Sequence, residues 1–232
     1  NDLNTGRQNL GGGGVQTAAL AFAGETVAIT ESWDGSSWTE VADLSTARYD
    51  LNTGGGGASS SLALAFGGNA PGGKQTATEE FTAATITDAI LNDGQVFYRS
   101  DTGDFKISLT QFGTGAWATG GTKNTIINDG TGSGTKTAGL AFGGIAPGGI
   151  TADTETYDGT SWTEVANLNA GRRSLTGTGT QTASLAIAGG EAGSFTAAIE
   201  EWDGSSWTEI TDLNTARGYN PGSSGTTTAA LV

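Results

Sequence analysis

The sequence has no cysteine, no histidine and no methionine. Disulfides, thiolate nucleophiles, imidazole bases and Cys/His metal sites are excluded with them. Basic residues are scarce as well: 10 Lys plus Arg stand against 24 Asp plus Glu, a formal net charge of −14. That balance disfavours a polyanionic partner, so nucleic-acid binding is not expected. No apolar run reaches the roughly 18 residues a membrane-spanning helix needs, so no membrane insertion is expected. Apolar residues never hold i, i+3, i+4, i+7 spacing over three turns, and the glycine density would penalise any helix. Asn1 is not Met and no basic-then-apolar leader follows it, so a processed or trimmed N-terminus is expected.

What is present is a phrase written three times. It reads Trp33-Asp34-Gly35-Ser36-Ser37-Trp38-Thr39-Glu40, then Tyr157-Asp158-Gly159-Thr160-Ser161-Trp162-Thr163-Glu164, then Trp202-Asp203-Gly204-Ser205-Ser206-Trp207-Thr208-Glu209. Each phrase sets an aromatic strand, an Asp-Gly hairpin turn and a second strand that opens on Trp. An Asn or Ser anchor follows the second Trp by seven residues at Ser45, Asn124 (after Trp117), Asn169 and Asn214, with Asn4 opening the series. Successive anchors lie 41, 79, 45 and 45 residues apart. Each unit then holds four strand-like pieces. Strand a is Gly-rich and follows the anchor (residues 7–14, 48–57, 127–134, 172–179 and 217–225). Strand b is small and apolar (18–24, 62–68, 138–144, 183–190 and 228–232). Strand c carries Trp33, Phe81, Tyr157 or Trp202, and strand d carries the second Trp. Four short strands per unit of about 41–45 residues predict an all-β propeller. Strand a is expected to line the crowded axis, and the c and d aromatics to fill the wedge between blades. Each ring would bury about 150–250 Å².

At these residues the chain resembles the kelch repeat family. The resemblance is carried by b strands that end Phe66-Gly67-Gly68, Phe142-Gly143-Gly144 and Ile187-Ala188-Gly189-Gly190, by the c-strand aromatic, by the d-strand Trp and by an Arg before strand a. It departs at Phe22-Ala23-Gly24. The wording also looks similar to Gly/Thr/Ala-rich kelch-like repeats in tail and fibre proteins of marine bacteriophages, through phrases such as Thr-Gln-Thr-Ala and Leu-Asn-Thr-Ala-Arg. One propeller domain over 1–232 is expected, with blade units at about 1–44, 45–123, 124–168, 169–213 and a partial 214–232. That makes four blades plus a half, and a ring of about five when closed. The missing c and d strands would lie before Asn1 or after Val232.

The second unit carries an insertion at 84–115, between strands c and d. Residues 94–100 and 105–109 flank Asp101-Thr102-Gly103-Asp104, which predicts a β-hairpin. Two readings stand side by side: a hairpin that covers an edge or a neighbouring chain, or a recognition loop presenting Phe97, Tyr98 and Arg99.

Candidate chemistry is thin. Arg7, Arg48, Arg172 and Arg217 share one repeat position, where the kelch resemblance puts a loop near the channel mouth. Either they bind carboxylates or acidic sugars, or they are architectural and bond d-strand Glu40, Glu164 or Glu209, or loop carbonyls. Asp34, Asp158 and Asp203 are expected to serve turns, since calcium needs six to eight oxygens. Neighbouring carboxylates such as Glu79-Glu80 and Glu200-Glu201 point to opposite faces of a strand, so they cannot act on one bond. Serine has no histidine to activate it, and Gly11–Gly14 lacks the Lys-Ser/Thr of a phosphate loop. No enzyme, no metal and no cofactor are expected. The resemblance implies a structural and adhesive virion component, extracellular, of a phage tail fibre or similar appendage. Its partners would be other virion proteins, copies of itself, or host surface glycan or protein, met through the b–c loops at 70–74, 146–150 and 191–195. The alternative is a secreted bacterial carbohydrate-binding or cell-surface propeller.

Overall fold

The computed structural model describes residues 2–25, 27–53, 61–83, 96–99, 104–107, 115–191, 193–219 and 221–231. Among them there is no helix, and every regular element is a strand. The first blade is β1 (Gly11–Val15), β2 (Ala18–Phe22), β3 (Thr30–Trp33) and β4 (Trp38–Glu40), hydrogen-bonded in that order. The second opens on β5 (Asn52–Thr53) and β6 (Leu62–Phe66), then puts out a small hairpin, β7 (Asn69–Ala70) and β8 (Gly73–Lys74). It continues through β9 (Thr78–Thr82), a second hairpin of β10 (Val96–Arg99) and β11 (Asp104–Ile107), and β12 (Ala116–Thr119). The third is β13 (Thr131–Thr135), β14 (Ala138–Phe142), the hairpin β15 (Ile145–Ala146) and β16 (Gly149–Ile150), β17 (Thr154–Tyr157) and β18 (Trp162–Glu164). The fourth repeats it as β19 (Thr176–Thr180), β20 (Ala183–Ile187), β21 (Gly190–Glu191), β22 (Ser194–Phe195), β23 (Ile199–Trp202) and β24 (Trp207–Glu209). The pair β25 (Ser224–Thr226) and β26 (Ala229–Leu231) starts another unit. Four antiparallel four-stranded sheets, neighbours through their a strands in the order β1, β5, β13, β19 and β25, make the propeller arrangement.

Side-chain alternation along each strand sorts residues between the two neighbouring blades. The c aromatic sits directly opposite the d Trp in the ladder: Trp33↔Trp38, Phe81↔Trp117, Tyr157↔Trp162 and Trp202↔Trp207. From blade two onward this pair faces the preceding blade. Trp117, Trp162 and Trp207 pack against Phe22, Phe66 and Phe142 of that blade's b strand, with ring centroids 5.2, 5.0 and 4.9 Å apart. The indole N–H of each donates to a c-strand threonine of the same neighbour: Thr30 at 3.1 Å, Thr78 at 3.0 Å and Thr154 at 3.1 Å. The aromatic wedge expected from the sequence is therefore present, and each indole is both packed and satisfied.

Strand a is glycine-rich because the neighbouring b-strand ring needs its space. A Cβ on Gly177 would lie 2.6 Å from Phe142 Cζ and 3.0 Å from the carbonyl of Gly132. Strand a is shorter than its sequence span: β1, β13 and β19 each begin four residues after the repeat position of the arginine. The arginine side chain turns back into the blade instead of extending the strand. The fourth b strand also closes differently from the expected Gly189-Gly190. It is Ala188-Gly189 that takes the positive φ values, 57° and 105°, matching Ala23-Gly24 at 58° and 103°.

Candidate functional site

Three of the four repeat arginines, Arg7, Arg48 and Arg172, are buried in ion pairs. Arg48 donates to Glu79 Oε1 at 2.6 Å and to the carbonyls of Gly67 and Ala77, with its side chain fully buried. Arg172 repeats this on Glu200 at 2.7 Å with the carbonyls of Ala188 and Ala198. Arg7 pairs with Glu31 and donates to Ala21 and Ala23. The backbone N–H groups of Asn4, Ser45 and Asn169 bond the second oxygen of each glutamate. Burial pushes the Glu31 carboxyl up, but hydrogen bonds from Arg7, Asn4 and Thr5 outweigh it and hold it below the usual range. Burial pulls the Arg48 guanidinium down, opposed by Glu79. The architectural reading expected d-strand glutamates or loop carbonyls, and carbonyls are met at Gly67, Ala77, Ala188 and Ala198 while the d-strand glutamates are not. The glutamate partners are instead c-strand Glu31, Glu79 and Glu200, while Glu40, Glu164 and Glu209 are exposed. The d strand is outermost and its glutamates point to solvent, whereas the c-strand glutamate faces the entering loop. Guanidinium groups sealed this way cannot meet a ligand. Arg217 is exposed and bridges by its backbone to Thr196.

The third blade carries Ile127 at the arginine position, and the ion pair survives there by exchange. Lys123, four residues earlier, places Nζ 2.9 Å from Glu155 Oε1, with both side chains 0% exposed. At the Lys123 position the second and fourth units have buried Leu44 and Leu168, while Ile127 is itself buried at 2% exposure. Cation and aliphatic side chain have swapped places. Lys123 also lies 4.4 Å from the Trp162 ring centroid. Burial pushes its ammonium below the usual range and Glu155 opposes that.

The Asp-Gly turns are saturated by their own chain. Asp158 Oδ1 accepts from the N–H groups of Thr160 and Ser161 and from Thr160 Oγ1, all within 2.8 Å, and Oδ2 accepts from Ser161 Oγ. Asp34 and Asp203 do the same, and these bonds lower both carboxyls to about 2. Phe97, Tyr98 and Arg99 lie on β10, which runs antiparallel to β11 with Arg99 opposite Asp104 in the backbone register. The turn at 100–103 and the rest of the insertion lie outside the described residues.

The b–c loops form the small hairpins β7–β8, β15–β16 and β21–β22, each joined by a bridge from the loop before strand a: Tyr49↔Asn69, Asn128↔Ile145 and Arg173↔Gly190. Lys74 reaches from one hairpin to the next, donating to the carbonyls of Ile145 and Ala146. The residue after each bridge position is left-handed in every unit: Asn9 (φ 56°), Asp50 (49°), Asp129 (57°), Ser174 (49°) and Tyr219 (58°). Neighbours in this series touch. Asp129 N donates to Asp50 O, Ser174 N donates to Asp129 O, and Ser174 Oγ donates to Asp129 Oδ2 at 2.7 Å. Burial, with the nearby Asp50 carboxylate, raises the Asp129 carboxyl.

At the hairpin of the fourth blade, β21–β22, the pattern changes. Phe195 and Tyr219 stand 4.9 Å apart, edge to face, at 44% and 82% exposure. With Arg173, Glu191, Gly193 and Ser194 they line an open cavity of about 340 Å³. Among the described residues of the expected recognition loops, Glu191, Gly193, Ser194 and Phe195 line a cavity. Arg173 and Tyr219 were not singled out by sequence reasoning. The available signal was that an aromatic at 219 breaks an Asn/Asp/Ser series.

No protein-family model matches the sequence, and no curated protein matches it. The structure is similar to the solved structure of YjhT, with a TM-score of 0.65 at 11% identity, over 94% of this chain and 69% of that one. At that identity the likeness is one of fold.

Proposed function

We propose that the chain is a non-enzymatic adhesion and structural protein of a phage virion, a tail-fibre or appendage component with kelch-like blades. It would bind host surface or neighbouring virion proteins through the face that carries the b–c hairpins. The observation that supports this reading is the contrast within that face. Lys74 of blade two is spent on carbonyls of blade three, and Asp129 of blade three accepts from Ser174 of blade four. The blade-four hairpin and the loop opening the next unit instead present two exposed aromatics, Phe195 and Tyr219, beside a cavity. Exposed aromatic side chains rimmed by polar groups mark recognition surfaces. The kelch likeness rests on the Phe-Gly-Gly ends of the b strands and on the interblade Trp. The test has two parts: mass spectrometry of purified virions for this chain, and retention of the fluorescently labelled protein on host cells. Presence in virions with saturable retention supports the reading; absence from virions with no retention overturns it.

The same aromatic pair supports a second reading, a secreted bacterial carbohydrate-binding or cell-surface propeller. Recovery of the chain from a bacterial surface fraction and not from virions would favour it.

A further inference from the structure

Three departures from the repeat meet where the blade-four hairpin touches the loop that opens the next unit. The first is Phe195, where the other hairpins have Lys74 and Ile150. The second is Gly218, where the other units have Gln8, Tyr49, Asn128 and Arg173. A Cβ on Gly218 would fall 2.1 Å from Phe195 Cδ1, so this ring position requires glycine there. The third is Tyr219, at the left-handed position that the other units fill with Asn, Asp or Ser. Asn and Asp tolerate positive φ, and a bulky aromatic rarely adopts it. The left-handed turn is common to every unit, so what is peculiar here is the bulky ring placed on it, and that ring is 82% exposed.

We propose that this cavity is a binding site for a neutral sugar ring, seated against Phe195 and Tyr219 and hydrogen-bonded by Arg173 and Glu191. The proposal rests on the reading of this face as a recognition surface and names its ligand class. The chemistry follows from the lining. A pyranose has an apolar C–H face that packs on an aromatic ring and a rim of hydroxyls that both donate and accept. Arg173 offers only donors and Glu191 only acceptors, which suits vicinal hydroxyls. Arg173 NH1 lies 3.8 Å from Asp129 Oδ2, and the Glu191 carboxylate adds a second negative charge beside it, so the cavity has no surplus of positive charge to hold an acidic ligand. The volume, about 340 Å³, is at the small end of ligand sites, which commonly run from about 300 to 1,000 Å³, and fits a ring or two rather than a long chain.

The experiment compares wild type with Tyr219→Asn and Phe195→Ile, each the residue type of another unit at that position. Binding to a panel of neutral methyl pyranosides and their disaccharides, and to glucuronate as the acidic control, is read by saturation-transfer NMR. Host-cell retention is read in parallel. The proposal expects at least one neutral saccharide to bind, glucuronate to bind more weakly, and both variants to weaken binding at least tenfold with melting intact. If cells retain wild type but not Tyr219→Asn, and no neutral saccharide competes, the sugar assignment is overturned while adhesion stands. If cells retain wild type and Tyr219→Asn equally, the location is overturned. If neither cells nor saccharides bind, the sugar site and the adhesion reading fall together.

Discussion

The exchange between Lys123 and Ile127 can be reversed. In Lys123→Leu, Glu155 keeps its backbone donors from Asn124 and Thr125 but loses its cation, with its side chain 0% exposed. Removing one member of a buried ion pair costs about 3–5 kcal/mol, because the remaining charge stays buried. Leucine suits the site, as Leu44 and Leu168 show, so a net loss near the lower end, about 3 kcal/mol, is expected. With a urea dependence of about 2 kcal/mol per molar, the midpoint falls by about 1.5 M. Ile127→Arg alone brings a second cation to one carboxylate and should cost about 2 kcal/mol or more. Together the two substitutions recreate the arrangement of Arg48 with Glu79 and Leu44, and should recover most of the loss. Urea denaturation of wild type, both single variants and the double variant closes the cycle, with an expected coupling of at least about 2 kcal/mol. A double variant no more stable than Lys123→Leu, or a Lys123→Leu within about 0.5 kcal/mol of wild type, would refute the equivalence.

Further outcomes follow from the same contacts. Trp162→Phe removes the bond to Thr78 and part of the ring packed on Phe66, and should lower stability by about 1–3 kcal/mol in denaturant titrations. Tyr157 is pushed up to about 12, mainly by burial and then by its 2.6 Å bond to Glu80. The folded state therefore holds this proton after an unfolded tyrosine, near 10, has lost it. Stability should fall as pH rises from about 10 to 12, and Tyr157→Phe should flatten that fall. Asp34 and Asp203 run the other way. Their depressed carboxyls, about 2 against 3.8, give stability that is present above 3.8 and lost as pH falls toward 2, and carboxyl NMR titration should find both midpoints near 2.

The fold was legible because its chief signals sit at fixed spacing. The c aromatic, the Asp-Gly turn and the d-strand Trp lie within eight residues in three units, so Tyr157 and Trp162 announce a blade without any knowledge of their neighbours. The glutamate that receives each arginine was not legible from the anchor. Its distance from the anchor is 27, 34, 31 and 31 residues, because the intervening loops differ in length. It does lie two residues before every c aromatic, at Glu31, Glu79, Glu155 and Glu200, and that constant offset was the overlooked signal. Lys123 escaped notice because the charge moved to a different position of the unit, where the aligned residue is leucine. Tyr219 shows in the sequence only as an aromatic that breaks an Asn/Asp/Ser series. Its left-handed backbone and its contact with Phe195, 24 positions earlier, exist only in the folded chain.

One variant brings the strain and the ligand site into a single comparison. Tyr219→Asn should lose binding to the preferred neutral saccharide at least tenfold. Its unfolding free energy should stay within about 1 kcal/mol of wild type or rise above it, since relief of the left-handed tyrosine offsets the lost edge-to-face contact. A variant that binds as tightly as wild type, or that binds weakly only because it unfolds more easily, would contradict the assignment of function to the place where the repeat changes.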